Sequence, residues 1–467
     1  MVRDPVLFEL SLPALSLEGG GCVECHLVRG FWWGPDPDRD WLSRRTLLLD
    51  PASPDFAPNR VVRRTEDELA ALAERCRGLE PLSPPPTEVP TVLVVHALTA
   101  DMRVGGPFGW WPEVAGVRRA LDPRHTRILC FNNLGSCYGT SGPGDQGFPR
   151  LADQPGAPVE NAEQIPATVT TWDQARSILM ALDRLGIGKV QLVVGGSVGG
   201  AVVLCLGALD PERFERLVPI AAAELSSPWV IGWNHVARQS ILADPGFPDA
   251  VGAGLSLARQ VAHLTYRAEH GLISRQGGTV VDDPFQDGTA IDEPPPAEAR
   301  WSARSLYQVQ TYLDHQGRKL TQRFHGGSYL CLLGAIDHHD LGRFPGPPTA
   351  AETWPEHLPA QSPKALRPLP AQGWGRSDSP GDSWGLSRIR ARVFAVSVDS
   401  DQLFFAEHMI QLAERLEALG QTATHSFISS SQGHDGFLIE QEQVGRILQS
   451  ALTDRAWSPD QAFASGL

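Results

Sequence analysis

The pentapeptide Gly195-Gly196-Ser197-Val198-Gly199 lies near the middle of the chain, and the fold can be inferred outward from it. The β-branched run 190–194 before it is typical of a buried strand, and the apolar run 200–206 after it is typical of a buried helix. A strand, a sharp turn and a helix around Gly-x-Ser-x-Gly are the requirements for a nucleophile elbow. Such a turn lifts the serine hydroxyl above the sheet, beside the free N–H groups of the helix. We therefore predict that Ser197 is a catalytic nucleophile.

Composition limits the classes of partner. The chain has 467 residues, 42% of them hydrophobic and 20% charged, which is typical of a soluble globular protein with one large domain or two. The formal net charge of −14 argues against nucleic acid and gives no sign of a membrane-surface role. The first residues do not resemble a signal peptide, and no run of about eighteen apolar residues could span a bilayer. We expect a cytoplasmic protein whose partners are small molecules.

The cysteines raise one alternative. Seven of them are scattered along the chain, and this odd number favours reduced thiols over a disulfide framework. The stretch Cys22-Val23-Glu24-Cys25-His26 matches the attachment motif of c-type haem. However, the runs 7–17 and 23–28 predict a β-hairpin, and cysteines three apart on a strand point to opposite faces. We therefore expect no haem, and no His, Cys and carboxylate cluster suggests a metal site.

Short apolar strands alternate with helices around the pentapeptide, which indicates a doubly wound, mostly parallel sheet. The predicted strands of this sheet are 91–95, 126–131, 190–194, 217–220, 391–398 and 424–428, and its predicted helices are 170–185, 200–206, 403–419 and 436–452. Residues 34–90 are rich in proline and charge, with one helical patch at 66–76. We predict that they form a surface insertion or linker.

Residues 224–387 show a different pattern, with helical stretches and no buried strand run. The predicted helices of this segment are 233–242, 254–269, 301–313 and 326–336. We therefore expect an α/β core made of residues 1–223 and 388–467, interrupted by a helical lid at 224–387. Such a lid would lie over the carboxyl ends of the strands, where open α/β sheets bind their ligands.

The partners of the serine are sought by chain order. In an α/β-hydrolase fold an acid and then a histidine follow the serine, both on loops after strands. Asp399 and Asp401 both follow the predicted strand 391–398, and their spacing alone does not decide between them. His434 stands in a tight turn after the last predicted strand. The chemistry requires the His434 Nε2 near the Ser197 hydroxyl and a carboxylate at the other ring nitrogen.

Further motifs run through most of the chain and leave 34–90 and about 344–385 uncovered. They are His96-Ala97-Leu98-Thr99, Gly109-Trp110-Trp111, 133–139 with Gly142-Pro143, 195–200, Ala258-Arg259 with 264–267, Arg323-Phe324 with 328–330, Ser400-Asp401 with Leu403-Phe404, and Gly433-His434-Asp435 with Phe437-Leu438. In this combination the chain resembles the homoserine O-acetyltransferase family of α/β-hydrolase-fold acyltransferases. The resemblance implies that Asp401, rather than Asp399, is the catalytic acid. It also implies that the backbone amides of Leu98 and Val198 form the oxyanion hole.

The resemblance implies a substrate site as well. Arg259 and Tyr266 would hold the carboxylate of an amino-acid substrate, and Asp435 its ammonium group. Positions 259 and 266 are seven apart, which places them on one helix face and is consistent with a shared role. Relatives that use succinyl-CoA tend to have arginine at the position of Leu403, so the resemblance implies acetyl-CoA as the donor.

The implied function is the transfer of an acetyl group from acetyl-CoA to the hydroxyl of L-homoserine, a step of methionine biosynthesis. A serine nucleophile predicts a ping-pong scheme through acyl-Ser197, with acetyl-CoA as co-substrate and no bound cofactor. The alternatives are acyl transfer to serine or another hydroxylated metabolite, and a plain esterase of the same fold. Departures from the family pattern at Val198, 325–327 and Gln402 leave the acceptor open. The resemblance also suggests a homodimer built through the lid.

Overall fold

The structure is a computed structural model that describes residues 4–52, 57, 60–77, 79, 84–154, 160–277, 280–281, 306–343 and 383–453. The strands in these ranges are β1 (Val6–Leu12), β2 (Leu15–Ser16), β3 (Cys22–Val23), β4 (His26–Trp33), β5 (Leu47–Leu48), β6 (Thr91–Val95), β7 (Arg127–Phe131), β8 (Leu192–Gly196), β9 (Arg216–Ile220), β10 (Val280–Val281), β11 (Leu306–Tyr307), β12 (Arg392–Val398) and β13 (Ala423–Ile428). The helices are α1 (Asp36–Ser43), α2 (Glu66–Arg77), α3 (Thr171–Arg184), α4 (Val198–Leu209), α5 (Pro228–Leu242), α6 (Gly252–Tyr266), α7 (Glu269–Gln276), α8 (Gln308–Thr321), α9 (Gly326–Asp337), α10 (Trp384–Arg388), α11 (Ala406–Ala418), α12 (Gly436–Ile439) and α13 (Gln441–Thr453).

One sheet organises the described part of the chain. Its nine strands lie in the order β5-β1-β4-β7-β6-β8-β9-β12-β13. Six neighbouring strands of this order, β7, β6, β8, β9, β12 and β13, are parallel, whereas β1 and β4 pair antiparallel with their neighbours. The predicted core strands are therefore confirmed, each within two residues at either end. The strand order places β8, which ends in the pentapeptide, in the middle of the parallel part.

Alternate residues of the central strands face two separate cores, as expected for a sheet covered on both sides. On β6, Val92 and Val94 pack on the face that also contacts the helices between β9 and β12. Leu93 and Val95 pack on the other face, with residues of α3, α4 and α11. Because both faces are buried, these strands have continuous apolar sequences rather than an alternation of apolar and polar residues.

Between β9 and α10, the described residues form five helices, α5 to α9, which we call the helical insertion. The predicted helix 301–313 begins outside the described residues, and α8 begins at Gln308 instead. The short pair of β10 and β11 was not expected in this segment. No helix within the described ranges is long and apolar enough to cross a membrane.

The described residues of 34–90, predicted as a surface insertion or linker, contain two helices and an edge strand that pack against the main sheet. Helix α1 carries Asp38, a fully buried carboxylate that pairs with Arg127 at 2.7 Å. Strand β5 extends the edge of the main sheet beyond β1, and α2 buries Leu69 and Leu72. A two-residue strand and an eight-residue helix leave too little periodicity to be recognised in a sequence rich in proline.

The haem-like motif adopts a geometry different from the one expected. The N-terminal hairpin is confirmed, but Cys22 lies on β3 and Cys25 lies in the bend before β4, so the two do not share a strand. Neither cysteine forms a disulfide bond with another described residue, and Cys25 is exposed. His26 is fully buried and its Nε2 bonds to the Ser177 hydroxyl at 2.8 Å, while burial lowers the pKa of His26 to about 4. The motif is therefore part of the hairpin packing.

Candidate active site

Ser197 occupies the strained turn between β8 and α4. Its φ of 59° and ψ of −127° lie in a region that non-glycine residues rarely adopt. A Cβ on Gly199 would lie 2.3 Å from the Val95 carbonyl oxygen, and one on Gly196 would lie 2.4 Å from the ring of Phe437. Both glycines are therefore required by close approach, and the elbow predicted from the sequence is present.

His434 and Asp401 form a buried pair at the ends of two adjacent strands. His434 lies in a single 3₁₀ turn, Gly433–Asp435, after β13, and Asp401 follows β12. The His434 Nδ1 donates a hydrogen bond to Asp401 Oδ2 at 2.7 Å, and the two side chains are 3% and 0% exposed. The other Asp401 oxygen accepts the backbone N–H groups of Leu403 at 2.8 Å and Phe404 at 3.0 Å. The carboxylate is therefore held in one orientation.

Asp399 has a different environment from Asp401. Its oxygens accept hydrogen bonds from the Ser429 hydroxyl and the Ser430 N–H, both at 2.9 Å. These bonds tie together the loops after β12 and β13 and do not reach His434. The structure thus places Asp401, and not Asp399, against the histidine, which is the assignment that the family resemblance implies.

The electrostatics of His434 suit a base. Burial disfavours the charged imidazolium, but the charge and the hydrogen bond of Asp401, with the charge of Asp435, outweigh burial and raise the pKa of His434 above its usual value. Its Nε2 is buried and has no hydrogen-bond partner among the described residues. This nitrogen can therefore accept a proton from a group that enters beside it.

A cavity of about 370 Å³ joins the elbow to the helical insertion. Its wall is formed by Ala97, Leu98, Thr99, Ala100, Asp101, Phe108, Gly109, Trp110, Ser197, Arg259, Tyr266, Arg323, His434, Asp435, Phe437 and Leu438. Six of the nine residues predicted for the site thus line one cavity. Of the other three, Asp401 lies behind His434, and Val198 is the first residue of α4, where a helix leaves its N–H groups without an intrahelical partner.

Leu403 is the third predicted residue that does not line the cavity. Its side chain packs in the apolar core and the whole residue is 6% exposed. Its backbone N–H is one of the two that hold Asp401. Leu403, the residue expected to select the acyl group, therefore lies in the core beside the catalytic acid Asp401.

The charged groups of the wall differ in their partners. Arg259 places its guanidinium carbon 5.7 Å from the centre of the Tyr266 ring, which confirms that positions 259 and 266 share a face of α6. Asp435 pairs with Arg267 at 3.2 Å, an ion pair that sequence patterns did not indicate. Neither Arg259 nor Arg323 forms an ion pair among the described residues. The second carboxylate of the wall, Asp101, pairs with Arg103 at 2.6 Å, so the cavity offers two cations and two already paired carboxylates.

Arg323 is the functional candidate that sequence reasoning did not single out. It lies between α8 and α9, lines the cavity and bonds to the loop that carries Leu98. The pair Arg323-Phe324 belongs to the motifs quoted above, but a motif match does not show which side chain faces a cavity. A lone arginine in a helix–helix connection is usually a solvated residue.

Comparisons with known proteins agree with this geometry. The model of the alpha/beta hydrolase fold family matches residues 90–439. A homoserine O-acetyltransferase of Thermus thermophilus is 33% identical over 381 residues, 77% of this chain and 81% of that protein. One of Moorella thermoacetica is 31% identical over 377 residues, 78% of this chain and 86% of that protein.

Solved structures share the fold across two reaction types. The homoserine O-acetyltransferase of Bacillus anthracis superimposes with a TM-score of 0.64 at 14% identity, covering 96% of this chain and 98% of its own. An acetylester hydrolase of Corynebacterium glutamicum has a TM-score of 0.60 at 16% identity, covering 95% of both chains. Transferases and hydrolases therefore share this architecture, and only the site can separate the two reactions.

Proposed function

The chain belongs to the homoserine O-acetyltransferase family of α/β-hydrolase-fold acyltransferases, and we propose that it moves an acetyl group from acetyl-CoA to the hydroxyl of L-homoserine. Acetyl-CoA is a co-substrate in this proposal, and the reaction belongs to methionine biosynthesis. The observation that carries it is one cavity whose wall holds Ser197, His434 and Arg259 together. An esterase needs the first two residues but has no use for a cation that faces the acyl group's acceptor.

The first half-reaction acylates the enzyme. The His434 Nε2 takes the proton of the Ser197 hydroxyl while the serine oxygen attacks the thioester carbonyl. The N–H groups of Leu98 and Val198 donate hydrogen bonds to the oxyanion of the tetrahedral intermediate. When this intermediate collapses, the carbon–sulfur bond breaks, the thiolate receives the proton from His434, and free CoA leaves. Acetyl-Ser197 remains.

The second half-reaction transfers the acetyl group. The acceptor hydroxyl gives its proton to His434 and attacks the ester carbonyl, and the same two amides hold the second oxyanion. The Ser197 oxygen leaves and regains the proton. Helix α6 of the helical insertion forms part of the cavity wall through Arg259 and Tyr266, and we propose that the insertion acts as a lid that limits hydrolysis by water.

Acceptor recognition rests on charge. Arg259 is half-buried and unpaired by carboxylates within the described residues, so an incoming carboxylate would satisfy it. Asp435 would take the ammonium group, sharing its charge with Arg267. Because Asp435 is shared in this way, the ammonium group would contribute less than the carboxylate, and the second candidate acceptor is serine or another hydroxylated metabolite with a carboxylate.

The decisive experiment supplies the purified protein with radiolabelled acetyl-CoA, first without an added acceptor, when water alone can accept the acetyl group, and then with homoserine or serine. The proposal predicts label on Ser197 in the absence of acceptor, and rapid chase of that label into O-acetylhomoserine. Steady release of acetate without acceptor would identify an esterase. Chase into serine at a higher kcat/KM than into homoserine would identify the second candidate. The variant Ser197→Ala, measured in parallel, should take up no label.

A further inference from the structure

We propose that Arg323 is a positioning residue that fixes the Ala97–Asp101 loop, and with it the Leu98 amide, in the orientation required to hold an oxyanion. We call residues 97–101 the oxyanion loop. The inference rests on the proposed function, because it concerns the acylation step at Ser197. It assigns to the helical insertion a second role, in which the insertion completes the oxyanion hole of the α/β core.

Two hydrogen bonds join Arg323 to the core. Its Nη1 donates to the carbonyl oxygen of Thr99 at 2.7 Å and to the hydroxyl of Tyr138 at 2.8 Å. The Tyr138 hydroxyl donates in turn to the Arg323 carbonyl at 3.0 Å. The arginine is therefore fixed through its side chain and its backbone, which makes it a rigid support for the Thr99–Ala100 peptide, one residue beyond Leu98.

The oxyanion loop depends on such supports. The N–H of Val198 is oriented by helix α4, whereas Leu98 lies outside any helix or strand. Within the loop, the Ala100 N–H donates to the Ala97 carbonyl at 3.1 Å, a single turn bond. The Trp110 indole donates to the carbonyl of Asp101 at 2.8 Å. Trp110 thus holds the end of the loop from the core, and Arg323 holds its middle from the helical insertion.

The carboxylate of the oxyanion loop does not compete with Thr99 for the Arg323 guanidinium. Asp101 is already paired with Arg103 at 2.6 Å, so the carboxylate of the loop does not need Arg323. Arg323 forms no ion pair within the ranges that the structure describes, and its guanidinium lies on the cavity wall. Hydrogen bonds from a charged donor are stronger than neutral ones, which suits a bond that must hold a carbonyl in one direction.

Loss of this support should slow acylation without removing the nucleophile, the base or the acceptor site. Removal of one oxyanion donor costs about 10²- to 10³-fold in rate, so a displaced donor should cost about 10- to 100-fold. A contact between Arg323 and CoA would instead act only on donors that contain CoA. A contact with the acceptor would change the acceptor KM and leave acylation alone.

The test measures single-turnover acylation of Ser197 with two donors, acetyl-CoA and p-nitrophenyl acetate. The second donor carries neither a phosphate nor a carboxylate, so Arg323 cannot attract it by charge. Arg323→Gln should slow acylation by both donors by a similar factor of about 10 to 100. Arg323→Lys should retain more of the rate, since an ammonium can still donate to Thr99. Arg318→Gln, an exposed arginine of α8, is the matched control and should acylate at the wild-type rate.

Tyr138→Phe keeps the inference testable if an Arg323 variant does not fold. This variant removes one of the two side-chain bonds of the guanidinium and should slow acylation by both donors, by less than Arg323→Gln. Equal wild-type and Arg323→Gln rates with p-nitrophenyl acetate would overturn the positioning role. So would an effect confined to the acceptor KM. A wild-type protein that is not acylated by either donor would overturn the proposed function itself, which separates the two failures.

Discussion

Replacement of Asp401 by asparagine should cripple acylation, whereas the same change at Asp399 should leave it almost intact. In Asp401→Asn the two backbone N–H bonds to the side-chain oxygen can persist, but the charge opposite the His434 Nδ1 is lost. The amide nitrogen then faces the imidazole and favours the tautomer that carries its proton on Nε2. That nitrogen could not accept the proton of Ser197.

The magnitude follows from the burial of the pair. Both side chains are almost completely buried and their contact is 2.7 Å long. Removing one partner of a buried charge pair costs about 3–5 kcal/mol. Since about 1.36 kcal/mol is a factor of ten in rate, acylation should fall by about 10²- to 10⁴-fold. Asp399 accepts bonds only from Ser429 and Ser430 among the described residues, so Asp399→Asn should change the rate less than about threefold, as expected for a surface substitution.

The assay is the single-turnover release of CoA thiol, followed with a thiol-reactive chromogen across a range of pH. His434 acts as a base only when it is neutral, and Asp401 raises the pKa of His434 above the usual histidine value. The acylation rate of the wild type should therefore fall as the pH drops below this raised pKa. In Asp401→Asn burial dominates, and the acidic limb should move to lower pH. Equal damage from the two aspartate changes, or an acidic limb that does not move, would show that Asp401 is not the acid that serves His434.

Arg259→Ala should raise the acceptor KM by about 30-fold or more, because a lost charge-assisted pair costs about 2–5 kcal/mol when desolvated. Label from acetyl-CoA should still accumulate on Ser197 at the wild-type rate. Slow labelling without acceptor would instead place Arg259 on the donor side. Asp435→Asn should raise KM for homoserine more than for 4-hydroxybutyrate, which lacks the amino group; equal changes in steady-state KM would argue against an ammonium contact. Gly196→Ala should lower the free energy of unfolding by about 1–3 kcal/mol, because the new Cβ would lie 2.4 Å from the ring of Phe437; an unchanged urea midpoint would contradict this packing.

The parts of the fold that sequence predicted are those determined locally. The strand, turn and helix around Ser197 follow from a short apolar run, four glycines and a second apolar run. The parallel strands have the same character, since burial on both faces makes each of them a continuous apolar sequence. Edge elements lack this signal. Strand β5 has two residues, and it is recognised only through its pairing with β1.

The residues of the site also fall into those that local sequence predicts and those that only the folded chain reveals. Ser197 and His434 could be named from chain order and turn chemistry. The choice between Asp399 and Asp401 depends on which carboxylate faces His434, and residues two apart on an extended chain give no local signal for that. The resemblance to a family decided it, and the geometry agrees. The Arg267–Asp435 pair joins residues far apart in sequence, so only the folded chain reveals it.

The acyl group of the donor is the last point that charge and burial can address. A succinyl group ends in a carboxylate, and a buried carboxylate without a cation costs more than the 1–3 kcal/mol of an unsatisfied neutral group. The arginines of the cavity wall are Arg259, which the acceptor would engage, and Arg323, which is bonded to the oxyanion loop. Leu403 offers no charge and lies in the core. We therefore expect wild-type kcat/KM to favour acetyl-CoA over succinyl-CoA by at least about tenfold.

Leu403→Arg tests the same reasoning from the opposite side. Its side chain packs among apolar residues, and an unpaired guanidinium there would be costly. The variant should therefore unfold at a lower temperature than wild type, and it should gain use of succinyl-CoA only if the new side chain reaches the cavity. The matched control is Leu403→Met, which conserves volume and should keep both the stability and the donor preference. Wild-type preference for succinyl-CoA would refute the acetyl assignment, because it would require a cation on the cavity wall that neither Arg259 nor Arg323 supplies in this arrangement.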